Sequence, residues 1–400
     1  MAACLTHALH DGYTDSLYAF LPVWQAQFGL SYAAVALVRS LYYATMGGLQ
    51  IPSDRALRGA SPRKALILST VIALAGLLVM ALPLGFAGLC VGLVMAGVGS
   101  SIQHPRGSML VTDTYGEASR RPLGMYNFAG DLGKAVLPAI VALLLPLLAW
   151  RPVLVLMALP GIALSMALGS LLRGASSGSR RAAPGQGAAG ESTAASTGTA
   201  FAYRRPPGGF RILTTIGALD TATRMGYLLF LPFLIHGRGG GSPTVGVALA
   251  LLFMGGAFGK ATCSWLGERL GVVGSVVLTE AATALLIIAT LLTSMTPTLF
   301  LLPLLGVVLN GTSSVLYGTV PELSGGDTGR AFAVFYTSVI GSGGLAPILY
   351  GTIADHTSQT TGMLASAATA VVIIPLVLML KRHLRKPDVA RPTHGGLASE

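Results

Sequence analysis

Ten ionisable side chains stand inside long apolar runs of this 400-residue chain: Asp11, Asp15, Arg39, Arg106, Asp131, Lys134, Asp220, Arg224, Lys260 and Glu280. Five are acids and five are bases, so together they are formally neutral. At roughly 2.5–3.5 kcal/mol each, ten such groups facing lipid would cost about 25–35 kcal/mol. They must instead meet one another or a wet interior. The chemistry open to them there is proton carriage and the binding of charged solutes.

Spacing groups some of them. His7, Asp11, Thr14 and Tyr18 fall on one helical stripe, with Asp15 at its edge. An imidazole titrates near neutrality, and a carboxylate one turn away can share its proton. That pairing suits proton coupling, with a hydrogen-bond cluster tying helices together as the alternative. His104 precedes Pro105, and Pro105 withholds a backbone donor, so a kink lined by Ser100, Ser101 and His104 could hold a solute or a proton. Asp131 and Lys134 are i,i+3 and share a face with Asn127. They read as a breakable ion pair on a cavity wall or as a permanent structural one. Asp220 and Arg224 are i,i+4, with Tyr227 on the same side. Structure or gating is favoured there over direct contact with a solute. Arg39, Arg106 and Lys260 have no opposite charge nearby in sequence, and Glu280 stands alone. Several bases in one cavity would favour an anionic or zwitterionic cargo. Tyr317 joins the cavity candidates through its place in a repeat described below. No phosphate loop, metal-ligand spacing or nucleophile–base arrangement is visible, so no catalytic residue, metal or cofactor is assigned.

The elements that must position these groups are membrane helices. Charged residues are 10% of the chain, against about 25% in a soluble domain, and hydrophobic residues are 52%. So few charges cannot clothe a soluble globule of this length. About twelve runs approach the 20 residues that span a bilayer, from 4–28 to 362–382. The second lies at 31–52, and the eighth and ninth at 244–266 and 271–293. The first run lacks a basic lead and carries Asp11 and Asp15, so it reads as a span rather than a cleavable leader. Residues 173–209 are rich in Gly, Ala, Ser and Thr and read as a flexible linker. The expected plan is a six-helix half at 1–172, this linker, a second half at 210–384 and a tail at 385–400.

The net charge of +11 does not mark a nucleic-acid binder. Of 26 Lys and Arg, five lie within spans, Arg151 and Arg238 fall in loops of one side, and the other nineteen fall on the opposite side. The positive-inside rule then places both termini in the cytoplasm. Cys4, Cys90 and Cys263 stand far apart in apolar stretches and form neither a metal motif nor an obvious disulfide.

The halves echo each other. Asp11 to Pro22 in span 1 parallels Asp220 to Pro232 in span 7. Gly99–Pro105 in span 4 parallels Thr312–Gly318 in span 10, which holds Tyr317. Arg121 stands 17 residues before Pro138, as Arg330 does before Pro347. A duplicated six-helix unit around a midplane site is a common secondary-transporter plan.

Twelve spans, the central linker and the repeat resemble the major facilitator superfamily. The stretch Gly267-Glu268-Arg269-Leu270-Gly271 resembles its acidic-basic-glycine loop, and Asp54, Arg55 and Arg58 form a degenerate counterpart after span 2. These are gating-loop candidates by resemblance. Within the superfamily, Gly99 to Pro105, His7 with Asp11, and Phe128 to Gly133 resemble the fosmidomycin-resistance efflux group. Arg106, Asp131 and Lys134 depart from that group's pattern.

The combined expectation is an all-α integral membrane protein of two pseudo-symmetric six-helix halves. Its expected function is proton-coupled export, by antiport, of a small drug or metabolite, with the cavity bases favouring an anionic one. The coupling candidates are Asp11, His7, Asp15 and His104. The expected setting is the inner membrane, as a monomer whose partners are a small-molecule substrate, protons and lipid. An uncoupled facilitator or importer of the same fold is the alternative. An enzyme would need a convergent catalytic constellation, and a receptor an output domain; neither is visible.

Overall fold

The computed structural model describes residues 1–171, 208–325 and 328–384. Most of the expected linker and the whole expected tail lie outside the described residues. The described elements are helical: α1 (Ala2–Phe28), α2 (Tyr32–Gly48), α3 (Gln50–Ala56), α4 (Pro62–Ala81), α5 (Gly85–Tyr115), α6 (Arg120–Leu144), α7 (Trp150–Leu171), α8 (Gly209–Gly237), α9 (Ser242–Leu292), α10 (Met295–Leu323), α11 (Thr328–His356) and α12 (Gln359–Leu380). In a bilayer every backbone polar group must be satisfied within the protein, and helices do this locally.

Nine of these helices are long and apolar enough, by length and composition, to cross a membrane. The polar α1 and the 17-residue α2 are not among the nine, whereas the 51-residue α9 is long enough for two crossings. Two boundaries depart from the sequence reading. The second span breaks at Leu49, and α3 continues it as a separate short helix. The connection between the eighth and ninth spans is tighter than the expected loop: helix continues through Glu268 and Arg269, and α9 is two helices that meet at a sharp break at Gly271. There φ is +71°, a conformation glycine adopts without a Cβ penalty. At the other end of the scale, α1 stops cleanly because Gly29 takes φ +62° and its N–H returns to the Gln25 carbonyl.

Within the first half, α1 packs on α6 and α4 on α5 and α7. Within the second, α8 packs on α11 and α12, and α9 on α10. Small residues allow these approaches. A Cβ on Gly133 would run into the Ala8 carbonyl, and one on Gly306 into the Leu252 carbonyl. Of the glycine pairs in the sequence, Gly255 and Gly256 both pack against α10. Gly47 meets Ile340 and Gly343 meets Tyr43, while Gly48 and Gly344 face open space. The halves meet along α2 with α11 and α6 with α9. Large apolar side chains such as Leu143, Leu285 and Phe300 point outward, as a lipid-facing surface requires.

Candidate functional site

Between the halves lies a cavity of about 240 Å³. Its lining runs from the bundle's middle toward the end where α1 begins: His7, Asp11, Thr14 and Asp15 of α1; Arg39 and Tyr43 of α2; His104 of α5; Tyr126, Asn127, Asp131 and Lys134 of α6; Arg224 of α8; Lys260 of α9; Asn310 and Tyr317 of α10. Each half contributes both charged and apolar side chains, the latter including Met46, Met225, Leu228 and Phe253.

Asp11 is the hub. Its Oδ2 lies 3.2 Å from Lys134 Nζ and 3.6 Å from His7 Nε2, and its Oδ1 lies 3.8 Å from His104 Nε2. Tyr126 stacks on the His7 ring with centroids 4.0 Å apart. Gly130 leaves room for this group: a Cβ there would sit 2.6 Å from both Asp11 Oδ2 and His7 Nε2. The ion-pair ladder then continues to the other half. Lys134 Nζ is 3.7 Å from Asp131 Oδ1, and Lys260 Nζ donates to both Asp131 oxygens at 3.0 and 3.1 Å. Four charges alternate in sign from α1 through α6 to α9.

Several sequence-based assignments change. Asp131 and Lys134 are within ion-pair range, but each has a nearer partner on another helix. Arg39, Arg106 and Lys260 are not without partners: they meet Asp15, Asp54 and Asp131 respectively. Arg106 is not a cavity residue. Its guanidinium donates to the Asp54 carbonyl at 2.8 Å and lies 3.1 Å from Asp54 Oδ1, which ties α3 to α5. Tyr227 is fully buried, and its hydroxyl donates to Thr290 at 3.3 Å, away from the cavity. Asp220 is buried outside the lining, within hydrogen-bonding reach of Glu280, which also reaches Thr312. Glu280 is therefore not alone. Ser100 and Ser101 do not line a kink: both are fully buried, Ser101 opposite Ser53. Of the gating candidates, Arg55, Arg58, Glu268, Arg269 and Gly271 are exposed, and Arg269 lies over the Trp265 ring.

His10 was missed by sequence reasoning. It is fully buried behind Asp11, with Nδ1 3.0 Å from Ser100 Oγ. Ser100 in turn meets the Tyr42 hydroxyl at 2.6 Å, and Tyr42 meets Thr14 at 2.7 Å. Thr14 donates back to the His10 carbonyl. This ring of hydrogen bonds holds α1 against α2 and α5 directly behind the hub. The signal was present in the spacing: His10 is i,i+3 from His7 and i,i+4 from Thr14, so it borders the same stripe.

His7, Asp11 and His104 bring three ligand-type atoms within 4.8 Å of one another, a grouping that spacing within one helix could not reveal. A metal ion could use these atoms. Lys134 already serves as the counter-ion of the same carboxylate, so a cation entering there would have to displace its ammonium.

Where α2 begins, the two halves are tied together. Asp355 at the end of α11 accepts hydrogen bonds from the Tyr32 and Ala33 amides at 2.7 and 3.0 Å, capping the first turn of α2 from the opposite half. Tyr32 also packs edge-on against Phe230 and Phe233. Asp355→Ala leaves those amides without their acceptor, a loss of roughly 1–2 kcal/mol or a factor of about 5–30 in an equilibrium. We expect spin labels at Ser31 and Ser358 to show a larger population of long distances in Asp355→Ala than in wild type. An unchanged distribution would mean that the cap does not hold the halves together there.

Two six-helix halves around a charged central cavity define a membrane transporter of the alternating-access kind. A sequence match to the Major Facilitator Superfamily spans residues 3–320, and the chain belongs to that superfamily. No curated protein matches the sequence. Among solved structures, the fold is similar to a bacterial homolog of the human lysosomal transporter Spinster in its inward-facing, occupied conformation. The TM-score is 0.74 at 16% identity, over 96% of this chain and 97% of that one. It is also similar to a POT family transporter in complex with a thioalcohol-conjugated peptide, with TM-score 0.75 at 14% identity over 96% of both chains. At these identities the likeness is one of fold.

Proposed function

We propose that this protein is a proton-coupled antiporter that exports a small anionic drug or metabolite across the inner membrane, acting as a monomer. The observation that carries the reading is Asp11. A buried carboxylate on the cavity wall, between two imidazoles and an ammonium, can release Lys134 when it takes a proton and reclaim it when it gives the proton up. Cargo and proton then compete for one set of charges, which is what obligate exchange needs. The anionic preference rests on the lining, where Arg39, Lys134, Arg224 and Lys260 outnumber Asp11, Asp15 and Asp131. With neutral histidines this leaves one excess positive charge for the cargo to balance. Asp15 and His104 tune the hub. The fosmidomycin-resistance resemblance is consistent with efflux.

The basic asymmetry supports placing both termini in the cytoplasm, with the cavity opening to that side. The halves are assigned to 1–172 and 210–384, with a cytoplasmic linker and tail. Cysteines introduced at Ser192 and Ser399, in a background lacking the three native cysteines, should resist an impermeant thiol reagent on intact cells and react after permeabilisation. Efficient labelling of either one on intact cells would reverse the topology. The export reading itself is tested by the uptake experiment that opens the Discussion.

A further inference from the structure

We propose that Arg39 is the anchor for an oxyanion on the cargo, a carboxylate or a phosphonate, gripped side-on by the guanidinium fork. The inference rests on the anionic-cargo reading above and gives it a residue and a ligand class.

Arg39 is 5% exposed, yet its guanidinium makes no hydrogen bond to any described residue. Its Nε is buried and unpartnered. Its one ionic neighbour, Asp15 Oδ1, is 3.9 Å from Nη2, beyond hydrogen-bond distance. A buried guanidinium has five donors to satisfy, and leaving them unmet is costly. The plane of the fork is nevertheless fixed. The guanidinium carbon lies 4.8 Å from the Tyr18 ring centroid and 5.2 Å from that of Tyr43, so aromatic faces hold it without using its N–H groups. Arg39 and Tyr43 both line the central cavity. A charged, oriented and unsatisfied fork facing a cavity matches the two oxygens of a carboxylate or phosphonate, which accept two parallel hydrogen bonds. Among the other lining bases, Lys134 and Lys260 are already engaged with carboxylates at 3.2 and 3.0 Å, and Arg224 donates to the Thr221 hydroxyl at 3.5 Å. Asp15 then acts as a resident, loosely held counter-ion that the arriving anion displaces.

The test is equilibrium binding to the full-length protein in detergent micelles, at constant ionic strength. The probes are acetate, benzoate, methylphosphonate and inorganic phosphate, with chloride as the control. Wild type should bind at least one oxyanion, and the comparison of carboxylates with phosphonate and phosphate identifies which head group the fork prefers. Arg39→Lys keeps the charge but loses the fork, so the dissociation constant should rise about tenfold or more. Arg39→Met should abolish binding, and Asp15→Asn should bind as tightly as wild type or more tightly. If Arg39→Met does not fold, Arg39→Lys alone decides. Binding by Arg39→Lys at the wild-type level overturns the proposal, as does the absence of oxyanion binding by both wild type and Asp15→Asn. No gradient enters this measurement, so its failure leaves proton coupling standing, and a failure of proton coupling leaves this result untouched.

Discussion

Asp11→Asn is expected to exchange cargo but never to concentrate it. One pH unit stores about 1.4 kcal/mol per proton, enough to accumulate a cargo exchanged one-for-one by about tenfold. Inverted vesicles with an imposed pH gradient should show that accumulation for wild type. Asparagine resembles the protonated carboxyl in shape and charge, so the variant imitates one state of the cycle permanently. It cannot pass the proton on, and its accumulation should fall to the equilibrium level. Counterflow, which needs cargo alone, should continue. Asp15→Asn should be milder, because Asp15 lies at the edge of the hub and pairs with Arg39 at 3.9 Å. If Asp11→Asn accumulates cargo as wild type does, Asp11 is structural and the coupling role passes to His104 or Asp131.

The second large effect concerns the ladder that crosses between the halves. Sequence spacing alone would pair Asp131 with Lys134 and forecast that Asp131→Asn/Lys134→Met rescues either single change. The geometry reverses this. Removing Asp131 and Lys134 together strips the nearest partner from Lys260 and from Asp11. The compensating doubles are instead Asp131→Asn with Lys260→Met, and Asp11→Asn with Lys134→Met. Breaking a fully buried pair costs about 3–5 kcal/mol. The Lys260 side chain is 29% exposed at the cavity edge, so its single change belongs at or below the lower bound. Thermal unfolding in detergent should show Lys260→Met well below wild type and Asp131→Asn/Lys260→Met largely restored, with Asp131→Asn/Lys134→Met the least stable of the doubles. Restoration by the Asp131/Lys134 double and not by the Asp131/Lys260 double would refute the ladder.

These cases mark what was legible in the sequence. Helical runs and their paucity of charge follow from the solvent, because lipid tolerates little else. The placement of Asp11, His7 and Thr14 on one wall follows from a 3.6-residue period that one helix enforces by itself. Partners on different helices do not. Arg39 meets Asp15 across α1 and α2, and Lys260 meets Asp131 across the two halves, at sequence separations no periodicity encodes. The repeat misled in one respect. It equates Asp220 with Asp11, but Asp11 faces the cavity while Asp220 lies behind the wall beside Glu280, and Arg224 one turn on takes the cavity position. The resemblance makes Gly271 the end of a loop; its missing Cβ instead lets the backbone break sharply where the two helices of α9 meet.

Coupling between a proton gradient and cargo across the halves is tested most directly in sealed proteoliposomes carrying a pH indicator inside. Small organic anions would be added one at a time with a pH gradient imposed. Proton movement linked to cargo movement in the opposite direction, abolished by a protonophore and by Asp11→Asn, is the predicted result. A cargo that crosses, merely equilibrates and moves no protons would contradict the account.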